Sequence, residues 1–183
     1  MVERLSILMI ININKMENYI DKIKQALNRD LNGEVKTFED LISFFSMNEK
    51  ALNEDVGQCD QYFNNQLPND YKNFLANYNG GVLFQIKDFI GYELLGTQQI
   101  INTNTVQKSS FGENWDDKII LFCRILGDAE FLGFKIANSQ NYEIIHCFMD
   151  EWPEKWKVIG VKLNDFISKL IDEKGLEFWY DND

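Results

Sequence analysis

A chain of 183 residues, 45% of them hydrophobic and 26% charged, is long enough to close one core and to bury about 70% of its unfolded surface. Its 29 acids against 18 bases give a formal net charge of −11; that argues against a nucleic-acid binder, since phosphate recognition needs a basic surface, and fits a basic protein partner better. Three cysteines, Cys59, Cys123 and Cys147, fall at unrelated spacings, which suits a reducing compartment and matches neither a disulfide framework nor a metal pattern.

The first apolar run, Leu5 to Ile13, is interrupted by Ser6 and Asn12. It is far short of a membrane span and lacks a small-residue cleavage site, so a cytoplasmic protein is expected. Met9 and Met16 are alternative starts. Asn14 followed by Glu17 has the form of a capping box, and Met16, Tyr19, Ile20, Ile23 and Leu27 make an apolar stripe, which predicts a helix ending near Asn32-Gly33. A second helix is expected from Thr37, with Phe38, Leu41, Ile42 and Phe45 on one face. The polar interval from Met47 to Asp55 then reads as a boundary. It separates an N-terminal helical extension, 1–52, from a domain over 53–183.

The stretch from Leu67 to Gly81 carries a helix with both ends marked. Pro68 suits the first helical position and Asp70 puts negative charge in the first turn. Tyr71, Phe74, Leu75 and Tyr78 recur at the i, i+3, i+4, i+7 spacing of a buried stripe, and Asn79-Gly80-Gly81 stops the helix, because glycine enters the left-handed conformation at little cost. Val82–Ile86 and Phe89–Leu95 read as a hairpin. The interval 97–110 is polar and reads as a loop or short helix. Ile119–Leu126 is apolar on both alternating faces except at Arg124, as expected of a central strand whose arginine needs a carboxylate or carbonyl partner. Glu130–Ala137 and Tyr142–Met149 continue an antiparallel meander, Lys157–Val161 is a further strand, and Leu163, Phe166, Ile167 and Leu170 define a closing helix that stops at Gly175. This order predicts an α+β fold with helices packed against a mostly antiparallel sheet.

Upstream of the marked helix, Val56, Asp60 and Phe63 precede Leu67-Pro68 at intervals of four, three and four residues. An apolar residue, an acid four on, an aliphatic residue three on, then Leu-Pro, a short aromatic helix and Asn-Gly-Gly resembles the signature of the SUKH superfamily, the Smi/Knr-like domains. Asp60 stands where glutamate is usual and Phe63 where a smaller aliphatic residue is usual. Trp115, the Gly127-Asp128 step and the closing helix also fall in the family's order, so the resemblance covers residues 53 to 175. It implies the α+β fold already expected. For function it implies either a bacterial immunity protein, holding a cognate toxin domain inactive, or a regulatory protein-binding scaffold. Members commonly cap the closing helix with serine; Lys162 occupies that place here.

The residue types offer little for catalysis. His146 is the single histidine, which removes most acid–base and triad schemes, and its neighbour Cys147 faces the other side of any strand they share. The Gly-Asn and Gly-Asp steps lack a phosphate-loop pattern. No enzyme activity, cofactor or metal is expected. Trp115, Trp152, Trp156 and Trp179 all sit beside acids, with at least two expected in the core. Phe178-Trp179-Tyr180 makes the acidic tail apolar enough to dock on the domain or on a partner. The expected partner surface joins Asp116, Asp117, Asp150, Glu151 and Glu154 to Trp115 and Trp152, aromatic anchors in an acidic field suited to a basic toxin domain, possible nuclease domains included.

Overall fold

The computed structural model describes residues 18–87 and 90–180. Eight strands among them form one sheet in sequential order, β1 (Asn32–Lys36), β2 (Ile42–Met47), β3 (Gly81–Ile86), β4 (Ile90–Leu94), β5 (Ile119–Leu126), β6 (Glu130–Asn138), β7 (Asn141–Phe148) and β8 (Lys157–Val158). Every neighbouring pair is antiparallel. The helices are α1 (Tyr19–Ala26), α2 (Asn53–Tyr62), α3 (Asn69–Leu75), α4 (Thr97–Phe111) and α5 (Leu163–Asp172). The fold is α+β.

The helix expected from Thr37 is instead the turn and second strand of the β1–β2 hairpin. Ser43, Phe45 and Met47 point into the core while Ile42 and Phe44 are exposed, so the operative period is two, not 3.6. Of residues 18–52 only Tyr19–Ala26 are α-helical, and β2 pairs with β3 in the common sheet. The Asn14 capping box lies outside the described residues; α1 begins at Tyr19, where the Asn18 side chain accepts a hydrogen bond from the Ile20 N–H at 3.1 Å. It ends at Ala26, and Asn32-Gly33 opens β1 instead of closing the helix.

The main core lies on one face of the sheet, where Tyr19, Ile23, Tyr71, Phe74, Phe166 and Leu170 from α1, α3 and α5 meet Phe45, Leu83, Phe122 and Phe134 from the strands. Pro68 caps α3, one residue earlier than expected. Asp60, at the end of α2, accepts from the Leu67 N–H at 3.1 Å and from Lys72 Nζ at 2.7 Å, which fixes the link between α2 and α3. α3 ends at Leu75, capped at Ala76, four residues ahead of the Asn-Gly-Gly step expected to stop it; that step is a junction. Asn79 Oδ1 accepts from the Thr97 N–H at 2.7 Å and the Asn79 carbonyl from Asn48 at 2.9 Å. Gly80 has φ +85° with Leu94 O only 2.8 Å from where a Cβ would stand, so two backbones approach there as only glycine permits.

The interval read as a loop or short helix is the 15-residue α4. It runs beside β5 where β4 has ended, and buried Asn104 replaces the missing strand: its Nδ2 donates to Leu121 O and its Oδ1 accepts from Leu121 N, both at 2.9 Å. Arg124 meets Glu93 at 3.2 Å, the carboxylate partner it required. At the start of α5 Lys162 makes no side-chain cap; the Leu163 N–H donates to the Tyr142 hydroxyl at 2.9 Å, and that hydroxyl donates in turn to Asp70. The tail docks on the domain, with Phe178 and Trp179 buried and Trp179 in ring contact with Tyr92, His146 and Phe166.

Candidate functional site

On the other face of the sheet a smaller apolar cluster gathers Ile119, Leu121, Phe131, Ile145 and Cys147 beneath buried Trp156. The chain after β7 folds back over this face and is pinned there by Trp156, whose Nε1–H donates to the Phe148 carbonyl at 2.8 Å. Phe111, the last residue of α4, is the hub of the aromatic layer. Its ring centroid lies 5.5 Å from Trp156, 6.0 Å from Trp115 and 6.2 Å from Trp152. Trp115 also meets Trp156 edge-on at 6.0 Å. Such edge-to-face contacts fix ring orientation as well as burying area.

Trp152 stands out of this layer, 51% exposed, and lines hollows on both of its sides. One, of about 500 Å³, runs between Glu113, Asp116, Glu154 and Trp156 and has Lys135 as its single cation. The other, about 220 Å³, is lined by Phe111, Met149, Asp150 and Glu151. Asp116 is held in place by accepting from the Lys118 N–H at 2.9 Å. Six of the seven expected surface residues, Trp115, Asp116, Asp150, Glu151, Trp152 and Glu154, thus border one aromatic ridge. Asp117 turns away, pairing with Lys108 at 2.5 Å beside another hollow, of about 130 Å³, which Trp115 also lines. Residue-type reasoning missed Phe111 and Glu113. The signal available was the Gly112 that follows Phe111, a helix stop placing an aromatic residue at a helix end.

Of the remaining chemistry-bearing groups, His146, Cys59 and Cys123 lie apart from the ridge and Cys147 lies in the cluster beneath it. His146 is buried on the helix side of the sheet, 2.6 Å from Glu130 and in contact with Phe148, Trp179 and Tyr180. Burial lowers its pKa from the usual value, and Glu130 only partly offsets this. The three cysteines are buried and free. Burial, with Asp60 adding, pushes the Cys59 thiol up to about 12, and burial raises Cys123 and Cys147 as well, so all three stay protonated and poorly nucleophilic. Among the described residues no group of three or more His, Cys, Asp or Glu is placed to hold a metal ion, and no helix is long and apolar enough to cross a membrane.

The α+β domain thus has one helix-covered sheet face and an aromatic ridge flanked by acids on the other. The α2–α3 link held by an acid, the short aromatic helix and the glycine junction narrow the class further. The chain belongs to the SMI1 / KNR4 family (SUKH-1), whose family model matches residues 50–169. It is also similar to the immunity protein RhsIB of Dickeya dadantii (strain 3937), with 25% identity over 169 residues, which is 87% of this chain and 96% of that protein.

Proposed function

We propose that the protein is a non-catalytic immunity protein of the cytoplasm that binds a cognate toxin domain and occludes its active-site cleft. Family membership and the similarity to a protein named as an immunity protein support the class. The observation that carries the mechanism is the ridge itself: an exposed tryptophan against the half-buried Phe111 ring, with carboxylates on both sides. Tryptophan anchors inside a charged rim are the usual energetic centres of protein interfaces. A basic cleft, such as a nuclease uses for its phosphate track, would be steered toward this rim and covered by it.

In this reading residues 53–183 are the binding domain and 1–52 an extension that adds strands to its sheet. Trp115 and Trp152 anchor the contact; Asp116, Asp150, Glu151 and Glu154 attract it; Asp117, paired with Lys108, contributes least. Affinity capture of the tagged protein at low and moderate salt, with mass spectrometry of a stoichiometric partner, tests the class. A basic toxin domain lost as salt rises is the expected result, whereas a housekeeping partner moves the reading to a regulatory scaffold. With the partner in hand, reversing the charge at Asp116, Asp150, Glu151 and Glu154 should slow association about tenfold at low salt and flatten its salt dependence. An unchanged association rate and salt slope would remove this surface from the mechanism.

A further inference from the structure

A further hollow, about 450 Å³, opens on the helix side of the sheet, where the β1–β2, β3–β4 and β5–β6 connections gather near the turn after α5. It is within the size range of ligand pockets. Leu41, Ile86, Ile90 and Ile125 form its apolar wall, and Glu39, Asp128 and Glu177 supply its charge. No lysine or arginine lines it among the described residues. We infer that this pocket is a second docking site, which takes an apolar side chain flanked by lysine or arginine from a polypeptide partner.

Two features select that occupant. The apolar wall continues outward into a lip, with Phe38 at 52%, Leu41 at 48% and Ile90 at 55% exposure. These three border one opening, and contiguous exposed apolar surface marks an interaction site where scattered residues do not. A small molecule inside the pocket would leave the lip wet; a polypeptide segment lying across the mouth covers it. The charge selects the flanking residues. Glu177 is half-buried, and its carboxyl is raised by burial and further by Glu130 and Asp128. Its hydrogen-bond donor is the Tyr92 hydroxyl at 3.3 Å. An entering cation relieves the mutual repulsion of these carboxylates. The pocket borders the main core through Phe84 and Tyr92, whereas the tryptophan ridge borders the smaller cluster. The inference therefore does not rest on the immunity reading.

The test is a titration of the full chain with a short synthetic peptide of alternating arginine and leucine, followed by backbone amide NMR. Saturable shifts at Leu41, Ile90, Gly127 and Gly175 are expected, and a peptide with serine in place of leucine should lose them. Glu177→Gln and Leu41→Ser should each weaken binding on the order of tenfold, the loss of one charged or one well-buried contact. Glu54→Gln, an equal loss of charge on exposed α2, is the control for general attraction to an acidic protein and should change affinity less than twofold. The proposal fails if no shift saturates, if the arginine–serine peptide binds as well, or if Glu54→Gln weakens binding as much as Glu177→Gln.

Discussion

Replacing Trp156 and Trp152 separately by alanine distinguishes a supporting ring from a contacting one. Trp156 is buried beneath Phe111 and Trp115 and donates to the Phe148 carbonyl at 2.8 Å. Truncating a buried tryptophan costs about 3–5 kcal/mol. At roughly 2–4 °C per kcal/mol for a chain of this size, the melting temperature should fall by about 6–20 °C. Trp152 is half exposed and touches the layer through Phe111 at 6.2 Å. Its truncation gives up only part of a ring's burial, about 1 kcal/mol, so the expected drop is roughly 3 °C. Calorimetric unfolding reads both. Binding should rank the pair differently: an anchoring tryptophan carries about 2 kcal/mol or more, so Trp152→Ala should weaken Kd for the captured partner roughly 30-fold. Equal thermal losses for the two variants would refute the division of labour. A Trp152→Ala variant that bound within twofold of the parent would refute the anchor.

Asn104→Leu should cost about 2–4 kcal/mol, because it orphans both the N–H and the carbonyl of Leu121 at the open edge of β5. The denaturation midpoint should fall at unchanged m, and a loss below about 0.5 kcal/mol would mean that water takes over those bonds. His146 gives a pH prediction. Its folded pKa is lowered from 6.5, so below that value the unfolded chain takes up the proton that the folded chain refuses, and stability falls as pH falls through the mid-6 range and below. Glu177, raised by burial, pulls the other way, gaining stability on acidification. The measurement is therefore the difference between the parent and His146→Gln from pH 7.5 to 5.5. The parent should lose more on acidification; parallel curves would show that His146 takes up its proton equally in the folded and unfolded chains, and a smaller loss in the parent that it is held charged in the fold.

What the sequence made legible followed from punctuation and period. The α3 helix carries its apolar stripe and the glycine junction its break locally, although the helix itself ends at Leu75, ahead of those glycines, and the meander from β5 to β7 alternates or runs apolar as buried strands do. The segment Thr37–Phe45 was not legible, because Phe38, Leu41, Ile42 and Phe45 satisfy helical spacing by coincidence over a run too short to arbitrate. Its real pattern, with Ser43, Phe45 and Met47 inward, depends on pairing with β1 and β3, which is non-local. The α4 helix was hidden for a similar reason. Its residues are poor helix formers, and the contact that holds it, Asn104 to the edge of β5, lies 17 residues away in sequence. At the site the residue types were readable but their directions were not. Asp116 and Asp117 are neighbours, yet one lines the ridge and the other pairs with Lys108.

Trp115 and Asp128 apart, the residues that identify the family and the residues proposed to meet a partner are different sets, and the structure gives the reason. Asp60 is engaged by the Leu67 N–H and by Lys72. Leu67, Tyr71 and Phe74 are fully buried, and the Tyr71 hydroxyl donates to the Leu95 and Phe122 carbonyls at 2.6 and 3.0 Å. Gly80 lets two backbones cross. Each of these positions is thus occupied by an internal task, and none is free to read a partner. The ridge residues face the other way and owe nothing to the signature beyond the sheet that carries them. A domain arranged like this can change its partner by changing Trp152 and the surrounding acids while its core stays fixed, at about 1 kcal/mol for the half-exposed ring and rarely more than about 0.5 kcal/mol for an exposed acid. The signature therefore identifies the scaffold, and the partner has to be sought in the rim.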